Sequence, residues 1–196
     1  MEKLFNHTKR VLWLSLMGAW SVQATVLLAI DLDTLVQKAD MVIRAEVLSS
    51  QAKIRGERGR ILTDVELKSL ECWKGVCPEV VTALVVGGKE GGFEQRLPGS
   101  VQFIPGEECV VFLAAHGKSR FRILGMAQGK YRLEWKPDSS EPIAIPEEVK
   151  NVELIYSDAQ RMAMPLRKEM PLSQLRQRVQ TKLKSMSGGL KKEKAL

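Results

Sequence analysis

Histidine, cysteine and serine are the side chains through which this chain could carry out nucleophilic chemistry. A catalytic histidine must lie within hydrogen-bond reach of the nucleophile that it activates. His7 lies in the apolar N-terminal segment, so His116 is the candidate base, with Cys109 or Ser100 as its nucleophile. The segment 116–119, His-Gly-Lys-Ser, is typical of a hairpin tip, and Ser100 lacks the Gly-x-Ser-x-Gly pattern of a nucleophile elbow. A small hydrolase that uses His116 with Cys109 or Ser100 is therefore an alternative hypothesis for function.

Metal and phosphate sites are not indicated by the sequence. A zinc site needs about four Cys, His or carboxylate ligands, and neither a histidine pair nor a double Cys-x-x-Cys motif occurs. The glycine-rich segment 87–92 lacks the Gly-Lys-Ser/Thr ending of a phosphate-binding loop. We interpret that segment as a flexible loop between strands, and we predict no metal and no cofactor.

The three cysteines are Cys72, Cys77 and Cys109. In an exported chain, an odd count means either one disulfide with one cysteine left over or no disulfide at all. Cys72 and Cys77 flank Trp-Lys-Gly-Val, which is typical of a turn between strands. Such a turn can bring two cysteines to the Cα separation of about 5.5 Å that a disulfide needs. We predict a Cys72–Cys77 disulfide, with Cys109 packed as a small buried apolar side chain.

Positive charge is concentrated at the C-terminus. Residues 166–196 contain nine Lys or Arg and two Glu, whereas residues 25–165 contain 18 basic and 20 acidic side chains. The high pI is therefore a property of the tail, and the body of the chain lacks the basic surface of a nucleic-acid-binding protein. Aromatic residues make up 6% of the chain, which is few for stacking on bases. We predict no nucleic-acid partner.

Residues 172–196 are predicted to be a basic C-terminal helix followed by a disordered tail. Apolar side chains recur at helical spacing from Leu172 onward, and Ser173 is the expected N-cap of a helix that runs to about Lys184. The segment 187–189, Ser-Gly-Gly, is expected to end the helix, and the lysine-rich end beyond it is expected to be disordered.

Two hypotheses account for that helix. In the first, Leu175 and Val179 dock on the β domain and the cations are solvated. In the second, the helix is an amphipathic segment that makes weak contact with an anionic membrane or an acidic partner. We expect docking. The residues that would make the surface contact are Arg176, Arg178, Lys182 and Lys184.

Residues 1–24 are predicted to be a secretory signal peptide. Three basic residues precede the uncharged apolar run 11–22, and the segment ends with the small residue Ala24. The run is shorter than the roughly 20 residues of a membrane-spanning helix. An uncleaved anchor or a buried N-terminal helix is the alternative. We therefore expect an exported protein, periplasmic or secreted, with an unidentified protein or another envelope component as its partner.

Residues 25–136 are predicted to form a mainly-β domain, either a small barrel or a sandwich, after a short N-terminal helix. Asp33 is the expected N-cap of that helix, with Leu35, Val36 and Ala39 on its apolar face. Alternating or apolar runs predict strands over residues 41–48, 61–73, 80–86, 101–103, 109–115, 121–126 and 130–135.

Three details of this prediction concern how the strands are arranged. The segment 53–60 is expected to be a charged loop, and the run 80–86 is expected to be covered on both faces. The last two strands are expected to pair as a hairpin across residues 127–129. Residues 137–171 are predicted to be a connector with short elements.

Three segments resemble the OB-type barrel of the netrin module, which includes the N-terminal domain of tissue inhibitors of metalloproteinases. They are Ala-Asp-Met-Val-Ile-Arg-Ala at 39–45, Leu-Glu-Cys-Trp-Lys-Gly at 70–75 and Gly-Glu-Glu-Cys-Val-Val-Phe-Leu at 106–113. The chain is also similar to exported bacterial proteins that carry the same Ala-Asp, Lys-Gly and Gly-Gly dipeptides. The resemblance implies an OB-like fold. It does not imply the inhibitory cysteine wedge, because no cysteine stands at the expected mature start, Thr25.

Taken together, these patterns favour an exported, non-enzymatic binding or interaction module. The hydrolase centred on His116 and a peptidase inhibitor with a reactive edge unlike the cysteine wedge are the two alternatives.

Overall fold

The computed structural model describes residues 25–56, 59–156 and 167–193, with side chains described as far as residue 188. The predicted signal peptide lies outside these residues. The helices are α1 (Leu32–Lys38) and α2 (Leu172–Glu193). The strands are β1 (Val26–Leu28), β2 (Met41–Arg55), β3 (Arg60–Lys74), β4 (Val80–Val86), β5 (Gly88–Glu90), β6 (Phe93–Gln95), β7 (Glu108–His116), β8 (Arg120–Ile123), β9 (Lys130–Glu134), β10 (Ile143–Pro146), β11 (Glu153–Ile155) and β12 (Met170–Pro171). The predicted mainly-β class is confirmed.

Five strands form a ring of pairings that closes on itself. The order is β7-β2-β3-β4-β8, and β8 pairs in turn with β7. All of these pairs are antiparallel except the parallel pair β4–β8. The β2–β3 register shifts at three places, and such irregularities bend a strand and increase its twist. The long strand β2 can therefore curve around the ring.

The inside of the ring is the first hydrophobic core. Its side chains alternate along each strand, as the period of two in a β-strand requires. The alternation within the predicted strand 41–48 places Met41, Ile43, Ala45 and Val47 on one face of β2, and all four are buried inside the ring. Strand β4 has only one buried face, because Val81, Ala83 and Val85 are buried while its other residues are partly or fully exposed. The prediction that residues 80–86 are covered on both faces is therefore wrong.

A second core lies outside the ring, between β2 and β7 on one side and the helices on the other. The outward side chains Val42 and Phe112 join Leu35 and Val36 of α1 there. Leu175 and Val179 of α2 are fully buried in the same core. The C-terminal helix therefore docks on the β domain, as its apolar spacing predicts. Strands β9, β10 and β12 extend the sheet beyond β7 beneath this layer.

The predicted hairpin between residues 121–126 and 130–135 is wrong. Strand β8 pairs with residues 113–116 of β7, and β9 pairs with residues 109–111 of the same strand. Both are antiparallel to β7, so they run in the same direction and cannot form a hairpin with each other. A 3-10 helix (Met126–Gly129) joins them.

Two predicted loops contain regular structure. Strand β2 continues to Arg55 and β3 begins at Arg60, so residues 53–55 and 60 of the predicted charged loop belong to the ladder. The glycine-rich segment forms the β5–β6 hairpin, in which Gly91 and Gly92 both have positive φ. Two consecutive residues of that conformation suit the tight turns of two-residue hairpins.

The predicted strand 101–103 is absent from the described structure. Val101 and Phe103 are buried in the ring core, but their backbone joins no ladder. Val101 and Phe103 alternate with exposed residues because this segment crosses an end of the ring and buries every second side chain there. A segment can do this without pairing with a neighbouring strand.

Both predicted helix caps are also corrected. Asp31 caps α1, since its Oδ1 accepts a hydrogen bond from the Thr34 backbone N–H at 2.7 Å, and Asp33 lies in the first turn. Ser173 belongs to α2, where its backbone N–H donates to the Glu141 carboxylate at 2.8 Å. The cap is therefore supplied from a distant segment.

The described helix α2 continues to Glu193, beyond the predicted end at residues 187–189 and into the predicted disordered tail. A glycine in a helix costs only about 1 kcal/mol, which does not suffice to end it. Neither described helix has the length and apolar character that crossing a bilayer requires.

Candidate functional site

Neither candidate nucleophile forms a hydrogen bond with His116 among the residues that the structure describes. Cys109 and His116 stand at opposite ends of β7, seven residues apart, which corresponds to about 23 Å along a strand. Cys109 is fully buried, and this burial raises the pKa of its thiol to about 12. A thiol in that state supplies little thiolate, which is the nucleophilic form. The Ser100 hydroxyl donates instead to the Val86 carbonyl at 3.0 Å.

The predicted disulfide is confirmed, and Cys109 is the free, buried cysteine. The Cα atoms of Cys72 and Cys77 are 5.8 Å apart. Between them, the Lys74 ammonium donates to the carbonyls of Val36, Gln37 and Ala39 at 2.7, 3.2 and 2.5 Å. A cation at a helix C-terminus satisfies carbonyls that have no partner within the helix and complements the helix dipole. The disulfide turn therefore fixes the end of α1.

Two of the four basic residues predicted to make the surface contact are engaged within the protein. Arg176 pairs with Glu71 at 3.2 Å, and Lys182 pairs with Asp33 at 3.0 Å. Arg178 and Lys184 are exposed and form no ion pair with any residue that the structure describes. Because Leu175 and Val179 face the second core, the apolar side of this helix is occupied by the protein itself.

A concave feature of about 510 Å³ lies at one end of the ring, and we call it the cleft. The β5–β6 hairpin forms one wall, and the segments 97–104 and 147–151 contribute the others. Val65 and Phe103 of the ring core reach its floor. Its volume falls within the range of about 300–1,000 Å³ that is usual for ligand pockets.

Large apolar side chains surround the mouth of the cleft. Ile104 is 67% exposed, and Leu97 and Val86 are each 40% exposed, although all three line the cleft. Phe93 on the adjacent hairpin strand is 68% exposed. Exposed apolar side chains that line one cleft beside polar residues are typical of interaction sites.

A buried lysine fixes the walls of the cleft. Lys130 of β9 is 2% exposed, and its ammonium lies 2.6 Å from a Glu107 oxygen and 3.3 Å from a Glu147 oxygen. It also donates to the Gln102 carbonyl at 2.7 Å and lies 4.6 Å from the centre of the Phe103 ring. A buried charge needs such partners, and these partners tie both loop walls of the cleft to β9.

No protein-family model, curated protein or solved structure matches this chain.

Sequence reasoning missed both the cleft and its buried lysine. Lys130 begins a predicted strand, and nothing adjacent to it in the sequence marks a buried cation, because its carboxylate partners are on separate loops. The one available signal was the alternation of Val101 and Phe103, which indicates a buried segment next to Ile104. Within the described residues, no group of three or more His, Cys, Asp or Glu could hold a metal ion.

Proposed function

We propose that this protein is an exported, non-enzymatic binding module whose cleft receives an apolar segment of a partner protein. The observation that carries this proposal is the set of exposed apolar residues that line the cleft, Val86, Leu97 and Ile104. Their side chains would be removed from water by a partner, and the polar walls would supply hydrogen bonds around them. An interface of this kind has an apolar centre and a polar rim.

The proposal includes an OB-type barrel as the scaffold. In its support, the ring consists of five strands, contains the single parallel pair β4–β8, and is closed by β7 pairing with both β2 and β8. The OB fold is a five-stranded Greek-key barrel. The three segments that resemble the netrin module fall on or next to β2, β3 and β7.

Export is the second part of the proposal. The disulfide between Cys72 and Cys77 supports it, because disulfides persist mainly in oxidising compartments such as the periplasm and the extracellular medium.

Site-specific photo-crosslinking in the producing cell tests the proposal. A photoreactive residue at Ile104 should give a discrete adduct with a partner protein, whereas the same residue at Val76, which is 89% exposed and outside the cleft, should not. Adding Leu97→Glu to the variant that carries the photoreactive residue at position 104 should reduce the yield of the adduct about tenfold or more. The reason is that the new charge would be buried in an apolar contact. His116→Ala should leave the adduct unchanged. Equal adducts at positions 104 and 76 would contradict the proposal.

A further inference from the structure

The β5–β6 hairpin forms one wall of the cleft but belongs to neither hydrophobic core. The structure describes the whole segment from Gly88 to Leu97, and none of its residues is buried. Phe93, the largest apolar side chain of the hairpin, is 68% exposed. Segments with few buried apolar contacts open at a low cost in free energy. The hairpin can therefore move relative to the ring without exposing a core.

At its base, the hairpin is attached firmly to the ring. The Gly87 backbone N–H donates to the Ile61 carbonyl at 2.9 Å, and the Thr63 hydroxyl donates to the Gly87 carbonyl at 2.6 Å. Both polar groups of the Gly87 backbone are thus bound to β3. Gly87 therefore stays with the ring when the hairpin moves.

Farther from the base, the attachment is weak. Within the described part of the chain, one hydrogen bond joins β6 to the ring, and it runs from the Ile61 backbone N–H to Gln95 Oε1 at 2.8 Å. The nearby ion pair between Arg96 and Glu94 joins neighbours on the returning chain and does not reach the ring. A single hydrogen bond shifts an equilibrium only about two- to tenfold. Contacts with a bound segment are therefore sufficient to change the position of the hairpin.

Gly88 lies where a hinge is needed. It follows the fixed Gly87, and its φ of 135° lies in a region that is open to glycine but strained for other residues. A Cβ atom at this position would lie 2.5 Å from Thr63 Oγ1, so only glycine lets the hairpin lie this close to the ring. At the other end of the hairpin, Arg96 and Leu97 belong to no strand of the described structure. Hinges are commonly formed by a few such residues at the ends of elements.

We infer that the β5–β6 hairpin is a lid that closes over an apolar segment bound in the cleft, with Gly88 as its hinge. Phe93 supplies the apolar surface that favours closure, because it is the one large apolar side chain of β5 and β6. The inference rests on the function proposed for the cleft and adds its regulation. The partner enters while the lid is open, and the closed lid retains it.

Double electron–electron resonance on the full-length chain tests the lid in the absence of a partner. Spin labels at Glu90→Cys on the hairpin and Lys150→Cys in another wall report the position of the hairpin, and labels at Lys68→Cys of β3 and Lys150→Cys are the reference pair. All three positions are exposed, and the native cysteines are either buried or disulfide-bonded. We expect the 90–150 distance distribution to be at least about twice as wide as the 68–150 distribution. Equal widths would overturn the lid and leave the proposed function untouched.

A variant at position 95 tests the weak attachment. Gln95→Ala removes the hydrogen bond to Ile61, so it should raise the ratio of long to short 90–150 distances about fivefold. Gln37→Ala makes the same substitution at an exposed position of α1 and should leave the distribution unchanged. Similar distributions for the two variants would contradict the inference.

The adduct formed by the photoreactive residue at position 104 separates the lid from the proposed function. In the purified adduct, the longer 90–150 distances should disappear, and the distribution should narrow to the width of the reference pair. Phe93→Ala should allow the longer distances to persist in the adduct, because closure then buries less apolar surface. An adduct with an unchanged distribution would overturn the lid alone. The absence of any adduct at position 104 would contradict the proposed function and the lid with it.

Discussion

The outer face of the ring is covered on one side and bare on the other. On the covered side, Val42, Val110 and Phe112 of β2 and β7 are fully buried beneath the helices. On the bare side, the outward residues of β3 and β4 include Asp64, Glu66 and Thr82, which line a polar groove of about 270 Å³. Strands of one ring thus serve two purposes. Where the outer face is apolar and covered, it contributes stability, and where it is polar, it is left open to solvent.

Phe112→Ala on the covered side should cause the largest loss of stability. The ring of Phe112 is fully buried, and its centroid lies 6.2 Å from that of Tyr131. Removing it leaves a cavity, so the free energy of unfolding should fall by about 3–5 kcal/mol. Urea denaturation measures this difference. A loss below about 1 kcal/mol would mean that the covered side adds little stability.

Leu175→Ala tests whether packing of helix α2 stabilises the covered side of the ring. Leu175 is fully buried in the second core, so we expect a loss of about 2–4 kcal/mol in the same assay. Arg178→Ala is the matched control, because this exposed residue lies on the same helix and should cost less than about 0.5 kcal/mol. Similar losses for the two variants would contradict docking through the apolar face.

Glu71→Gln probes the polar edge of the covered side. Burial alone raises the pKa of Glu71, but hydrogen bonds from Trp73 and Arg44 outweigh it, and with the charge of Arg176 they lower the pKa below its usual value. The substitution should cost about 1–2 kcal/mol at neutral pH.

The pH dependence of this effect has a definite sign. Because the pKa of Glu71 is lowered in the folded state, its contribution is present above the ordinary carboxylate pKa and disappears as the pH falls through the folded value. The stability difference between the wild type and Glu71→Gln should therefore shrink in urea titrations between neutral pH and pH 3. A difference that stays constant over this range would show that the charge of Glu71 is not responsible.

Thr82→Ala on the bare side should have the smallest effect on folding. Thr82 lines the polar groove on this side, and its hydroxyl forms no hydrogen bond with another described side chain. A surface substitution of this kind changes the free energy of unfolding by less than about 0.5 kcal/mol. A thermal melt that shows a loss above about 1 kcal/mol would identify the bare side as structural.

Part of this architecture could be predicted from local patterns. The alternation of Met41, Ile43, Ala45 and Val47 predicted an inward face, and the spacing of Leu172, Leu175 and Val179 predicted a docked helix. A turn of four residues between Cys72 and Cys77 predicted the disulfide. These features were predictable because each depends on residues that are close in the sequence, and burial of one face imposes a period of two or 3.6.

The tertiary structure alone decided which faces are covered and where the surface is concave. The apolar run of β4 resembles that of β7, yet only β7 is covered on its outer face, because the helices pack on that side. The burial of Lys130 likewise depends on Glu107 and Glu147, which come from two separate loops. A local pattern specifies that a face is to be buried but not which distant segment buries it, so the ring closure and the cleft emerge only when the strands assemble.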